Sequence, residues 1–130
     1  MIAKIFSYAL NGLSGIPINV EVDVNNGLPA FDMVGLADTA VKESKERVRS
    51  ALKNSGRSIP TRKLTVNFAP ADIKKEGAAY DLPLAIGMLT AEEEVKTALL
   101  GQYLIMGELS LDGTLQPIQG VLPMALAARK

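Results

Sequence analysis

Lys45, Arg49 and Lys53 recur every fourth residue, and the run continues through Arg57 to the pair Arg62-Lys63. On a helix that spacing lines cations along one face. The chemistry such a row offers is phosphate contact, each contact steepening the salt dependence by about 0.9 log units on duplex DNA. Residues 42–63 hold eight of the chain's fourteen positive groups and two of its fourteen negative ones, so the stretch stands at +6 and the remainder at −6. Charge divided in this way marks either an anion-binding face or a solvated helix and loop. The residues alone favour the solvated face. Glu43 and Glu46 offer partners within the helix, and the stretch has no aromatic side chain to stack on a base.

Other routes to chemistry are narrow. The chain has no histidine and no cysteine, which removes the commonest general base, the thiol nucleophile, thiolate metal sites and any disulfide. No Gly-x-x-x-x-Gly-Lys-Ser/Thr loop is present to hold a β,γ-phosphate on backbone amides. No acidic cluster has metal-ligand spacing either, so neither ATP nor Mg²⁺ is expected to bind these residues specifically. Ser110 falls in a strand–turn segment, where it reads as a turn hydroxyl.

The elements that must position these residues follow from periodicity. Ile18, Val20, Val22 and Val24 alternate with Asn19, Glu21, Asp23 and Asn25, the period of a strand with one wet face. Ile2 to Leu10 is a strand before it, ending at the turn dipeptide Asn11-Gly12, and Pro29 to Leu36 is a strand after it. The three together predict a meander. Asp38 is placed to cap a helix over Thr39–Asn54, with Ala37, Val41, Ser44, Val48, Ala51 and Leu52 on its apolar face and Gly56 as its stop. Lys63 to Phe68 alternates again. Asp81-Leu82-Pro83 opens a second, largely apolar helix. Glu92-Glu93-Glu94 is a solvated break, Tyr103 to Leu109 a central strand, and Asp112-Gly113 turns the chain into a brief return strand. After Gly120 a last helix starts, with Pro123 in its first turn and no cap or glycine stop. The pattern reads as one domain over residues 1–130, cut at its C-terminal end. At 48% apolar residues a chain of this size buries roughly two-thirds of its unfolded surface. No apolar run approaches the roughly 18 residues of a membrane span, and the N-terminus lacks the features of a signal peptide. A cytoplasmic domain without membrane attachment is expected.

Two segments carry a resemblance. Pro70-Ala71-Asp72-Ile73-Lys74-Lys75-Glu76-Gly77-Ala78-Ala79-Tyr80-Asp81 and Gly107-Glu108-Leu109-Ser110-Leu111-Asp112-Gly113-Thr114-Leu115-Gln116-Pro117-Ile118-Gln119-Gly120-Val121 resemble, in order and spacing, the two motifs of the Lon proteolytic domain. One of those motifs carries a nucleophilic serine and the other its lysine base. Here the serine position falls on Ala79 and the lysine position on Leu122. A serine–lysine hydrolase needs a hydroxyl within reach of a neutral amine, and neither group is present. The resemblance therefore implies the fold and not the peptidase.

A wider resemblance covers nearly the whole chain. Gly35-Leu36-Ala37-Asp38-Thr39-Ala40-Val41-Lys42-Glu43-Ser44-Lys45-Glu46-Arg47-Val48-Arg49 is followed by Asn67-Phe68-Ala69-Pro70-Ala71-Asp72-Ile73-Lys74-Lys75-Glu76-Gly77. Together they resemble the N-terminal domain of magnesium-chelatase-like AAA+ ATPases of the ComM/YifB competence type. The resemblance implies an α+β fold of the ribosomal protein S5 domain 2-like kind, a two-layer α/β sandwich similar to the Lon proteolytic domain. It further implies a non-catalytic accessory domain, a homo-oligomeric (hexameric) ring in the full-length protein, and ATP and Mg²⁺ held only by an AAA+ domain absent from this chain. It also implies work on DNA in competence and recombination, which brings DNA contact through Lys45, Arg49, Lys53, Arg57, Arg62 and Lys63 level with the solvated reading. Two alternatives stay open: a dedicated nucleic-acid-binding module, and a Lon-type peptidase with relocated residues.

Overall fold

The computed structural model describes residues 2–11, 14–57, 62–73, 75, 77, 79–91 and 102–118. Four strands form one sheet: β1 (Ile2–Asn11), β2 (Ser14–Asn25), β3 (Ala30–Val34) and β4 (Lys63–Ala69). Two helices, α1 (Thr39–Asn54) and α2 (Asp81–Ala91), and a two-stranded ladder of β5 (Glu108–Leu109) and β6 (Leu115–Gln116) complete the α+β architecture.

The strand order is β1-β2-β4-β3. β1 and β2 pair antiparallel from Ile2↔Asp23 to Asn11↔Ser14, as the alternation predicts. The expected meander fails at the third strand. β4 lies between β2 and β3, antiparallel to the first and parallel to the second, with Phe31 opposite Leu64. Parallel neighbours need a crossover, and α1 supplies it. The apolar run before Leu109 also departs from expectation: only Glu108–Leu109 is strand, paired to β6. The Ile105 amide donates to the Phe6 carbonyl at 2.8 Å, which holds the run beside β1 without adding a strand to the sheet. The predicted break at residues 92–94 and the helix after Gly120, including Leu122, lie outside the described residues.

The core sits between the sheet and the helices. Ile5, Ile18, Val20, Val22, Leu64, Val66 and Phe68 point to one face and join Val41, Val48 and Leu52 of α1 and Leu84 and Met88 of α2 in a single cluster. The opposite face is mostly polar, crossed by Lys4, Glu21 and Asn67 in one register row. Glu21 accepts from the Asn67 amide at 2.8 Å and lies 3.9 Å from the Lys4 ammonium.

Both ends of α1 match the sequence reading. Asp38 has extended backbone and its Oδ1 accepts from the Val41 amide at 2.8 Å. At the other end Gly56 adopts φ +78°, its amide donating to the Lys53 carbonyl at 3.1 Å and that of Arg57 to the Leu52 carbonyl at 2.8 Å, a Schellman cap. Two glycines set the close approaches. Gly35, at φ +104°, turns the chain out of β3 where a Cβ would fall on the Phe68 carbonyl. Gly87 lets α2 settle on β2, where a Cβ would come 2.6 Å from Val22 Cγ2.

Candidate functional site

The segment that resembles the nucleophile loop leads into the first turn of α2. Ala79 is half-buried, and its carbonyl accepts from the Gly107 amide at 2.8 Å while the Gly107 carbonyl accepts from the Leu82 amide at 3.0 Å. Those two bonds strap the loop to the segment that leads into β5. At the serine-equivalent position the side chain is a methyl group.

Beside it lies a network built from elements far apart in the chain. Asp81 is fully buried. Its Oδ1 accepts from the Ser44 hydroxyl at 2.5 Å and from Arg47 Nη2 at 3.1 Å. Its Oδ2 accepts from Arg47 Nε at 2.7 Å and from the Leu109 amide at 3.1 Å. Each carboxylate oxygen therefore accepts two hydrogen bonds, close to the capacity of an ionised carboxylate. Arg47 Nη2 also donates to the Ala40 carbonyl at 3.0 Å, and its Nη1 lies 3.8 Å from Glu43. The Asp81 hydrogen bond raises the guanidinium pKa, burial opposing it. One fork-to-carboxylate pair thus ties α1, α2 and β5 together. From sequence, Asp81 reads as the start of a helix and Arg47 as one of the eight positive groups of residues 42–63. The available signal was that Arg47 follows Ser44 by three residues and precedes the apolar Val48, on the flank of the buried stripe.

A second buried charge is Lys75. Its backbone bridges α1's approach, the Lys75 amide donating to the Leu36 carbonyl and the Asp38 amide to the Lys75 carbonyl, each at 3.0 Å. The ammonium is fully buried and donates to the Gly35 carbonyl at 2.7 Å and to the Pro70 carbonyl. Burial lowers its pKa, partly offset by the charge of Asp72. Its amine is committed to two backbone carbonyls, a turn-holding role. Tyr80, also buried, meets the Phe68 ring edge-on at 5.5 Å, and burial, with the Asp38 charge second, pushes its hydroxyl up to about 12. Ser110 forms the turn its position suggests, its hydroxyl accepting from Gln116 Nε2 at 2.6 Å.

The basic residues divide. Lys53, Arg57, Arg62 and Lys63 are exposed, whereas Lys45 and Arg49 are half-buried, so α1 does not present one uniformly wet row. The Arg49 guanidinium lies 5.2 Å over the centre of the Phe31 ring, from β3. Lys63 pairs across the ladder with Ala30, the residue before Phe31, and Arg62 precedes it. Arg49 thus lies over the start of β3 on the helix side of the sheet, and Lys63 alternates with Leu64 to the other side. Lys53 follows one turn along α1, Arg57 lies just past its cap, and Lys45 lies one turn before Arg49. An aromatic ring does belong to the basic end, brought by a strand outside the basic stretch.

Residues 20–130 match the family model of subunit ChlI of Mg-chelatase. The chain belongs to this family, in its ComM/YifB branch. It is 48% identical over 119 residues to YifB of Escherichia coli, covering 92% of this chain and 24% of that protein. It is 43% identical over 129 residues to competence protein ComM of Haemophilus influenzae, covering 99% of this chain and 25% of that protein. Lon protease 2 of Bacillus subtilis is a fainter relative, 25% identical over 137 aligned residues, which cover 95% of this chain and 24% of the protease. The chain spans about a quarter of the length of the curated relatives it matches.

The family's name implies magnesium. Among the described residues no three carboxylates, histidines or cysteines gather where they could hold a metal ion, so these residues do not fit the oxygen-rich shell Mg²⁺ requires. No helix among them is long and apolar enough to cross a membrane.

Proposed function

We propose that this chain is a non-catalytic accessory domain of a magnesium-chelatase-like AAA+ ATPase that acts on DNA in competence and recombination. Its fold is a two-layer sandwich of the ribosomal protein S5 domain 2-like kind. It helps assemble a homo-oligomeric ring and makes weak, sequence-independent DNA contact at its basic end. ATP and Mg²⁺ act in the parent's ATPase domain.

The observation that carries this reading is the replacement of reactive groups by structural ones. Ala79 holds the serine-equivalent position, and two residues on, Asp81 spends both carboxylate oxygens on Arg47, Ser44 and the Leu109 amide. Lys75, the buried amine nearest in sequence, is held by two carbonyls. Residues 70–81 hold no serine, threonine or cysteine for an amine to activate. The exposed cations Lys53, Arg57, Arg62 and Lys63 support DNA contact, since phosphate neutralisation needs charge rather than shape.

Charge reversal in the parent protein tests the DNA half: Arg49→Glu with Lys53→Glu is expected to weaken DNA binding at low salt and flatten its salt dependence. Unchanged affinity would remove the basic end from the DNA path. A serine-directed fluorophosphonate is expected to leave the intact mass unchanged, and a covalent adduct would restore the peptidase reading.

A further inference from the structure

The basic end carries a feature that plain phosphate contact does not require: a planar cation seated on an aromatic ring. We propose that Arg49, backed by Phe31, is a stacking platform for an unpaired base, so that this corner takes single-stranded nucleic acid in preference to duplex. The proposal rests on the reading that the basic end contacts nucleic acid and specifies which form of it.

The Arg49 guanidinium lies over the Phe31 ring at 5.2 Å, within the range where the ring's quadrupole attracts a cation. A guanidinium held on one side by a ring is pre-organised to take a second planar group on the other, so less conformational entropy is lost on stacking. Arg49 is only half-buried, and Phe31 at the sheet's margin fixes it without entombing it. Cations for the backbone follow along the helix from this platform: Lys53 is exposed one helical turn from Arg49 and Arg57 lies just past the cap, whereas Lys63 alternates with Leu64 to the other face of the sheet. The nearest acid on β3, Asp32, alternates to the opposite face of the sheet from Phe31. Bases in a duplex already have both faces stacked on neighbours, whereas a single strand can splay one out onto a guanidinium or an aromatic ring.

The test uses fluorescence anisotropy of the chain with three labelled ligands of one length: oligo-dT, an abasic strand with the same phosphates, and a duplex. Oligo-dT is expected to bind about fivefold or more tightly than the abasic strand. Arg49→Lys keeps the charge and removes the plane, and is expected to bring oligo-dT down to the abasic level. Lys53→Ala is expected to reduce the salt slope by about 0.7 log units on both single strands and leave their ratio intact. Phe31→Leu, checked by its thermal melt, is expected to act like Arg49→Lys. A strand carrying 2-aminopurine gives a direct readout, because the chain has no tryptophan to emit beside it. Equal binding of oligo-dT and the abasic strand, or an Arg49→Lys variant that keeps the preference, overturns the stacking while leaving phosphate contact in place. Absence of binding to all three ligands at low salt overturns the nucleic-acid reading beneath it as well.

Discussion

Arg47 and Arg49 are the same residue type on the same helix, two positions apart, and they end in opposite environments. Arg47 turns inward along the flank of the buried stripe and forks onto Asp81. Arg49 turns outward and lies over Phe31. Two residues advance an α-helix by roughly 200°, which separates the two directions. The inward arginine locks α1 to α2 and β5, the region where a Lon-like enzyme would place its chemistry. The outward one belongs to a surface whose other members, Lys53, Arg57, Arg62 and Lys63, are wet. One half of the molecule holds charges that stabilise the fold only as a set, and the other holds charges that leave the fold nearly indifferent.

Mutation should widen that contrast. Asp81→Ala leaves the Arg47 guanidinium and the Ser44 hydroxyl facing a buried gap, and is expected to cost about 3–5 kcal/mol, read from urea denaturation. A loss below about 1 kcal/mol would mean the network is not what joins the helices. Replacing the pair together, Asp81→Leu with Arg47→Met, is expected to recover more than half of that loss, since a packed apolar pair needs no compensating charge.

The next effect is a pH window. Tyr80 is held near 12 in the folded chain and ionises near 10 when unfolded. Between those values the folded state keeps a proton that the unfolded state has lost. The stabilisation is therefore present below about pH 10 and lost as pH climbs toward 12, by roughly 3 kcal/mol. Tyr80→Phe is expected to remove this slope, and the difference between the two chains separates Tyr80 from the other titrating groups. Parallel slopes would show that its burial does not govern alkaline unfolding. Lys75 acts with the opposite sign: its lowered pKa makes stability rise as pH passes from that value toward the ordinary lysine range.

At the boundary between the two regions stands the cap. Asp38→Ala is expected to cost about 1 kcal/mol by freeing the Val41 amide, with helical circular dichroism at moderate urea as the readout. The smallest effect is expected on the wet side, where Lys53→Ala changes stability by no more than about 0.5 kcal/mol. A larger loss there would dissolve the distinction between structural and surface charge.

Much of the local structure was legible. Period-two alternation located β2 and β4, and the spacing of Val41, Ser44, Val48, Ala51 and Leu52 gave the buried stripe of α1. Asp38 and Gly56 marked its ends, because caps act over a few bonds and their residue types state their purpose. At the site, Ala79 was readable as an alanine where the Lon-like motif carries serine, since residue type is read directly from the chain. Asp81 was not readable as the centre of a network: its partners lie 34 and 37 residues back and 28 ahead. Phe31 likewise stands outside the basic stretch it serves.

The sequence by itself therefore determined β1, β2, β4 and both helices and the faces they bury. Each depends on residue type and short-range periodicity. Only the tertiary structure decided that β4 enters between β2 and β3, that Arg47 forks onto the buried Asp81 while Arg49 turns away from it, and that Phe31 lies beneath a cation. Those outcomes depend on contacts between residues distant in the chain, formed when the crossover of α1 and the packing of α2 close the core.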